Sequence, residues 1–123
     1  MSITRRSLEN NGEYKHMKNL IAKVIKWHED RNLIEGSTDK DQVLKLQQEL
    51  GELSDSVCKQ KDVRDDLGDM MVIMLNIMKR NNYTMEECLE TAYNDIKDRK
   101  GKMIDGIFVK FEEKSFNTDE GDE

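Results

Sequence analysis

The sequence predicts an all-α domain, a four-helix bundle followed by a short C-terminal hairpin, and three observations carry that expectation. The 123 residues include no proline and only seven glycines, scattered along the chain. Apolar residues recur with the 3.6-residue period of one-sided helices. The length is that of one domain, able to bury roughly two-thirds of its unfolded surface without disulfide or metal staples. That domain is expected to occupy residues 1–111, with 112–123 an acidic, disordered tail.

The first helix is expected over about residues 14–32, where Leu20, Ile21, Val24, Ile25 and Trp27 form an apolar stripe and Lys15, Lys18, Lys23 and Lys26 stay outside it. "EGSTDKD" then breaks the pattern, and Ser37, Thr38 and Asp39 are each suited to cap a second helix. That helix runs to about residue 59 through Val43, Leu46, Leu50, Leu53 and Val57. A third spans about residues 62–81. It is apolar nearly all the way round from Met70 to Met78, which implies burial on more than one side. In so small a bundle the second side points to another subunit, with Met70, Met71, Met74 or Met78 at the contact, in a homodimer or homotetramer. The fourth helix opens at Thr84, with Glu87 at capping-box spacing, and is expected to stop at Gly101. "KMIDGIFVK" alternates around Asp105-Gly106, a two-residue hairpin signal. "NTDEGDE" then dissolves the pattern.

Bulk properties exclude several classes. A net charge of −6 argues against a nucleic-acid-binding surface, whose affinity depends on neutralising phosphates. The longest apolar run, "MMVIMLNIM", is half the length of a membrane span and contains Asn76, so no membrane partner is expected. "TRRSL" is followed by polar "ENNGEYKH" where an export signal needs an apolar region, which favours a cytoplasmic protein. Cys58 and Cys88 lack metal-ligand spacing and read as reduced, buried thiols.

The chemistry lies in two acidic pairs. Glu49 and Glu52 in "LQQELGELSD" are three residues apart beside the apolar face of the second helix, and Asp66 and Asp69 in "VRDDLGDMM" repeat the device on the third. Each pair has a glycine inside it, Gly51 and Gly68. At this spacing a pair projects from one edge of its helix, and an antiparallel hairpin can bring the two edges together. Like charges about 5 Å apart repel by roughly 3 kcal/mol at an effective dielectric of about 20. Such a cluster therefore either regains protons or surrounds a divalent cation, and oxygen-only ligands favour Mg2+ or Mn2+. The competing reading is a solvated acidic face, since 37% of the chain is charged. Asp62, Asp65 and Asp66 also suit the first turn of a helix, and Lys45 is placed to pair with Glu49.

"ELGEL" followed by "DDLGDMM" resembles the ExxE, spacer, ExxD signature of the MazG-like all-α nucleoside triphosphate pyrophosphohydrolases, and is most similar to the single-domain, phage-type members. The likeness extends from about Trp27 to Lys110 and takes in "WHEDRNL" and "DRKGKM". It implies Glu49, Glu52, Asp66 and Asp69 as Mg2+ ligands, with Mn2+ an alternative. Glu49 and Glu52 are then the candidate catalytic residues, with Glu49 as the general base. It implies cleavage of a (deoxy)nucleoside triphosphate between its α and β phosphates, giving a monophosphate and pyrophosphate. Asp66 stands where glutamate is more usual, Gln48 where many members carry another acid, and Asp98 where asparagine often precedes the arginine. Lys97 and Arg99, at the end of the fourth helix, are candidates to hold the leaving phosphates, although cations there also suit the helix dipole. His28, Arg31, Asn32 and Leu33 resemble a His-x-x-Arg-Asn-Leu run of the related deoxycytidine triphosphatases. His28 is the better candidate for ligand contact. Trp27 could stack on a base but fits the core more readily, and Arg31 could equally pair with Glu35. Rival readings are a non-catalytic helical metal-binding regulator or interaction protein, and a di-iron bundle, for which only Glu13 to His16 supplies the required motif.

Overall fold

The computed structural model describes residues 5–111. They form α1 (Arg5–Asp30), α2 (Asp39–Cys58), α3 (Arg64–Arg80) and α4 (Met85–Ile96), then β1 (Gly101–Ile104) and β2 (Ile107–Lys110). The chain is thus mostly helical, with one small antiparallel hairpin. It divides into two compact units, the first ending at Met85 and the second beginning at Glu86. The predicted acidic tail lies outside the described residues. No described helix is long and apolar enough to cross a membrane.

In the first unit, α3 packs against both α2 and α1. α1 begins nine residues before the expected start at 14. The extra turns carry no apolar stripe, so periodicity could not reveal them, and Gly12 sits inside the helix at a cost of about 1 kcal/mol relative to alanine. Of the three candidate caps for α2, Thr38 is the one used: its Oγ1 accepts from the Asp41 amide at 3.1 Å. Three helix ends share one device. Asn32, Gln60 and Asn82 adopt φ values of 56°, 57° and 59°, and the next amide in each case reaches back to the carbonyl five residues earlier, at His28, Ser56 and Met78. This is the Schellman closure, usually built on glycine.

The start of α2 is tied to the end of α3. Asp39 accepts from Arg80 Nε at 3.1 Å and Asn81 Nδ2 at 3.0 Å, while Arg80 Nη1 donates to the Ile34 and Ser37 carbonyls. α2 and α3 therefore run antiparallel, as the short connection between them requires. Buried apolar residues among those described are Ile73 and Leu75, both on α3. They lie with two buried polar side chains, His28 and Asn76.

The second unit holds α4 and the hairpin. α4 stops at Ile96 rather than Gly101, and Gly101 opens β1 instead. Its glycine is a packing requirement, because a Cβ there would collide with the Val109 carbonyl and the Phe108 ring. The hairpin pairs Met103 with Phe108 and Ile104 with Ile107. Asp105 and Gly106 have φ of 51° and 82°, the two positive values that the expected Asp-Gly turn demands. Cys58 is exposed and Cys88 half-buried, so the expectation of two buried thiols is corrected: α2 ends at Cys58, which leaves it on an uncovered last turn.

Candidate functional site

Glu49 and Glu52 lie on α2, and Asp66 and Asp69 on α3, the helix that α2 packs against. Glu49, Asp66 and Asp69 are half-buried and Glu52 is exposed. Burial is the main force raising the Glu49 pKa, followed by a side-chain hydrogen bond with Glu52 and repulsion from Glu52 and Asp69. Asp69 is raised by burial first, then by the charges of Asp65, Asp66 and Glu52. The two acidic pairs thus form one electrostatic neighbourhood, joined by Asp65. Asp62 does not join it: its carboxylate is held by Arg64 and its pKa is lowered.

One atom stands out in this cluster. Glu49 Oε2 is shielded from solvent and has no hydrogen-bond partner. A carboxylate oxygen so placed wants a proton or a cation. The donor set is oxygen only, which fits a hard divalent ion such as Mg2+ or Mn2+. As the side chains stand, however, no three His, Cys, Asp or Glu groups among the described residues are gathered to hold an ion. Bringing four carboxylates to a common point without a proton or cation among them would cost several kcal/mol. At Gly51 and Gly68, the glycines within the two pairs, an added Cβ would meet nothing within 4 Å, so packing inside this chain does not require them.

The aromatic pair at the end of α1 reverses its expected roles. Trp27, favoured for the core, is 45% exposed and carries the Arg31 guanidinium over its ring at 4.3 Å. Arg31 also donates to the Trp27 carbonyl at 3.1 Å. His28, favoured for ligand contact, is only 2% exposed, and both of its ring nitrogens are engaged within the protein. Its Nε2 lies 2.9 Å from the Val72 carbonyl, which can only accept, so Nε2 carries the proton. Nδ1 then accepts from Asn76 Nδ2 at 3.2 Å, and the same amide nitrogen donates to the Leu33 carbonyl at 2.9 Å. The helical period alternates faces every residue or two, and here it turns the imidazole inward and the indole outward.

Lys97 and Arg99 belong to the second unit, and both are exposed. Arg99 Nη2 bonds Asp95 at 2.9 Å, the local pairing expected one helical turn apart. Lys45 donates to Gln48 Oε1 at 3.0 Å rather than to Glu49. Sequence reasoning did not assign a role to Arg80 or Asn76, and gave Asp39 only that of a candidate helix cap. The signal for Asn76 was present, as a lone amide inside "MMVIMLNIM", because a buried amide must find partners. A polar depression of about 610 Å³ adjoins Arg80 and includes Glu29, Glu35 and Lys79. Arg80 is already committed to Asp39 and two carbonyls there, which leaves it little to offer an anion.

A stretch of 68 residues is 41% identical to an uncharacterized 18.2 kDa protein from the rep-hol intergenic region of Haemophilus phage HP1. The match takes in 54% of this chain but only 42% of that relative's length. No protein-family profile matches the chain. No solved structure matches it.

Proposed function

We propose that the protein is a Mg2+-dependent nucleoside triphosphate pyrophosphohydrolase of the MazG-like kind, with its helices assembled as the bundle of that group. The observation that carries this reading is the half-buried Glu49 carboxylate, whose Oε2 lacks any partner while Asp69 opposes it from α3. Glu49, Glu52, Asp66 and Asp69 would hold the metal, with Mn2+ able to replace Mg2+. A cation held there would supply charge neutralisation for the phosphate oxygens and a lowered pKa for a bound water. Glu49 is the residue placed to take the proton from that water, through a carboxylate oxygen not engaged by the metal. The exposed face of Trp27, with Arg31 beside it, offers the stacking surface for a base, while His28 supports it from inside.

The products are then a nucleoside monophosphate and intact pyrophosphate. Screening each ribo- and deoxyribonucleotide for Mg2+-dependent pyrophosphate release tests the activity and ranks the bases. Reaction in oxygen-18 water tests the bond: label in the monophosphate is expected. Label in pyrophosphate would place attack at the β-phosphorus, and orthophosphate with a diphosphate would mean a γ-phosphatase. Either result overturns the mechanism, and no turnover of any nucleotide would leave a helical metal-binding regulator as the better description.

A further inference from the structure

We propose that the unit formed by α4 and the hairpin is an exchange arm, whose apolar surface is covered by the α3 stripe of a second copy of this chain in a reciprocal contact. This inference is independent of the enzymatic reading. From Glu86 to Phe111 only Cys88 and Gly101 are even half-buried, so the unit has no core of its own. Leu89, Tyr93 and Ile96 share one side of α4 at helical spacing and are 63%, 61% and 50% exposed. On the hairpin, the register puts Ile104, Ile107 and Val109 on one face, and all three are exposed. A helix of 12 residues and a two-stranded hairpin are each marginal in water by themselves. The arm therefore needs a cover.

The accessible surface of the chain is 10445 Å², about 3,600 Å² more than a compact monomer of this mass exposes. Even with residues 1–4 and 112–123 counted as fully exposed, roughly 1,500 Å² of that excess remains. Obligate dimers bury on the order of 1,000–2,500 Å² per subunit. A second copy supplies the matching face, because Leu67 and Met71, one helical turn apart on α3, are exposed as well. A two-fold axis brings each copy's arm to the other's α3, so both uncovered sets are buried together and neither is left over. An unlike protein would cover one set and leave the other bare.

The test uses the full chain, with a glutamate placed on each side of the contact. Wild type is expected to be a dimer of the 14.4 kDa chain by light scattering at micromolar concentration. Met71→Glu and Leu89→Glu should each be monomeric, with wild-type helicity by circular dichroism. Mixed in equal amounts they should recover a dimer, because one of the two reciprocal contacts then joins two native faces while both glutamates meet in the other. A mixture that stays monomeric overturns the exchange, since faces paired like with like gain nothing from mixing. Hydrogen exchange on wild type decides the matter if a variant fails to fold. Amides of α4 should be protected at high concentration and lose that protection on dilution to monomer. Protection that persists in the diluted monomer would show that the chain covers its own arm, and a wild type that is monomeric at every concentration overturns the proposal as well.

Discussion

Replacing Asn76 with alanine asks whether the buried amide clamps α1 and its following turn to α3. Asn76 is fully buried, and its Nδ2 serves two acceptors, the Leu33 carbonyl at 2.9 Å and His28 Nδ1 at 3.2 Å. Alanine strands both. A buried acceptor left without a donor costs about 1–3 kcal/mol, so the two together set the upper range of the effect. Part of this is offset, because Asn76 Oδ1 is itself buried without a partner and disappears with the side chain. The net loss expected is about 2–4 kcal/mol. For a chain of this size that corresponds to a fall in Tm of roughly 6–20 °C.

Urea and thermal unfolding followed by far-ultraviolet circular dichroism provide the assay. His28→Ala should also destabilise, and the double variant should cost at least about 0.5 kcal/mol less than the sum of the singles, because each removes the same Nδ2···Nδ1 hydrogen bond. A loss below about 1 kcal/mol for Asn76→Ala, or strict additivity in the double variant, would refute the clamp. The same experiment separates the two views of His28. A ligand contact predicts a raised KM with melting unchanged, whereas the buried imidazole predicts loss of stability first.

Glu52→Ala and Asp69→Ala should each abolish turnover yet keep or raise the metal-free Tm, since each removes a charge that repels its neighbours; full activity in both would sink the site. Glu49 and Asp69 have folded pKa values raised above the ordinary carboxylate range of about 4, so the stability they contribute is present below that range and lost as pH rises through the raised values. Metal-free protein should therefore gain Tm between neutral and mildly acid pH, and excess Mg2+ should flatten that gain; Asp55 and Asp62, whose pKa values are lowered, act in the opposite sense and only at lower pH. Leu67, Met71, Met74 and Met78 form a stripe along α3 at helical spacing, with Leu67 and Met71 46% and 42% exposed. Light scattering should show at least a dimer, and Met71→Glu should dissociate it; a stable wild-type monomer near 14.4 kDa would show that the stripe needs no partner.

The helices were legible because each carries an apolar stripe or a polar cap, and the Asp105-Gly106 turn because only a few residue pairs accept two positive φ angles. Helix ends were harder to place. The closures at Asn32, Gln60 and Asn82 use residues other than glycine, so the usual stop signal was missing, while Gly101, which looked like a stop, serves the hairpin. At the site, equal spacing placed the two acidic pairs on helices that pack together, while no three of the carboxylates are gathered among the described residues. Burial of individual side chains was not legible. His28 and Asn76 are 48 residues apart, and nothing local to "WHEDRNL" says which of its two aromatic residues faces inward.

The polar clamps and the acidic cluster answer one another. Ile73 and Leu75 are the buried apolar residues among those described, too few by themselves to hold α2 against α3 while Glu49 and Asp69 repel across the same contact. At the far end of that contact, Arg80 and Asn81 grip Asp39, and Arg80 also binds the loop before α2. Charge-assisted hydrogen bonds to a half-buried arginine are directional, so they fix the approach of the two helices at that end where apolar packing would allow slippage. At the other end Glu49 and Asp69 face one another across the same contact, and both have raised pKa values. Under the proposed metal site, a proton or cation at Glu49 Oε2 would relieve that repulsion while the Arg80 and Asn81 contacts keep the other end anchored.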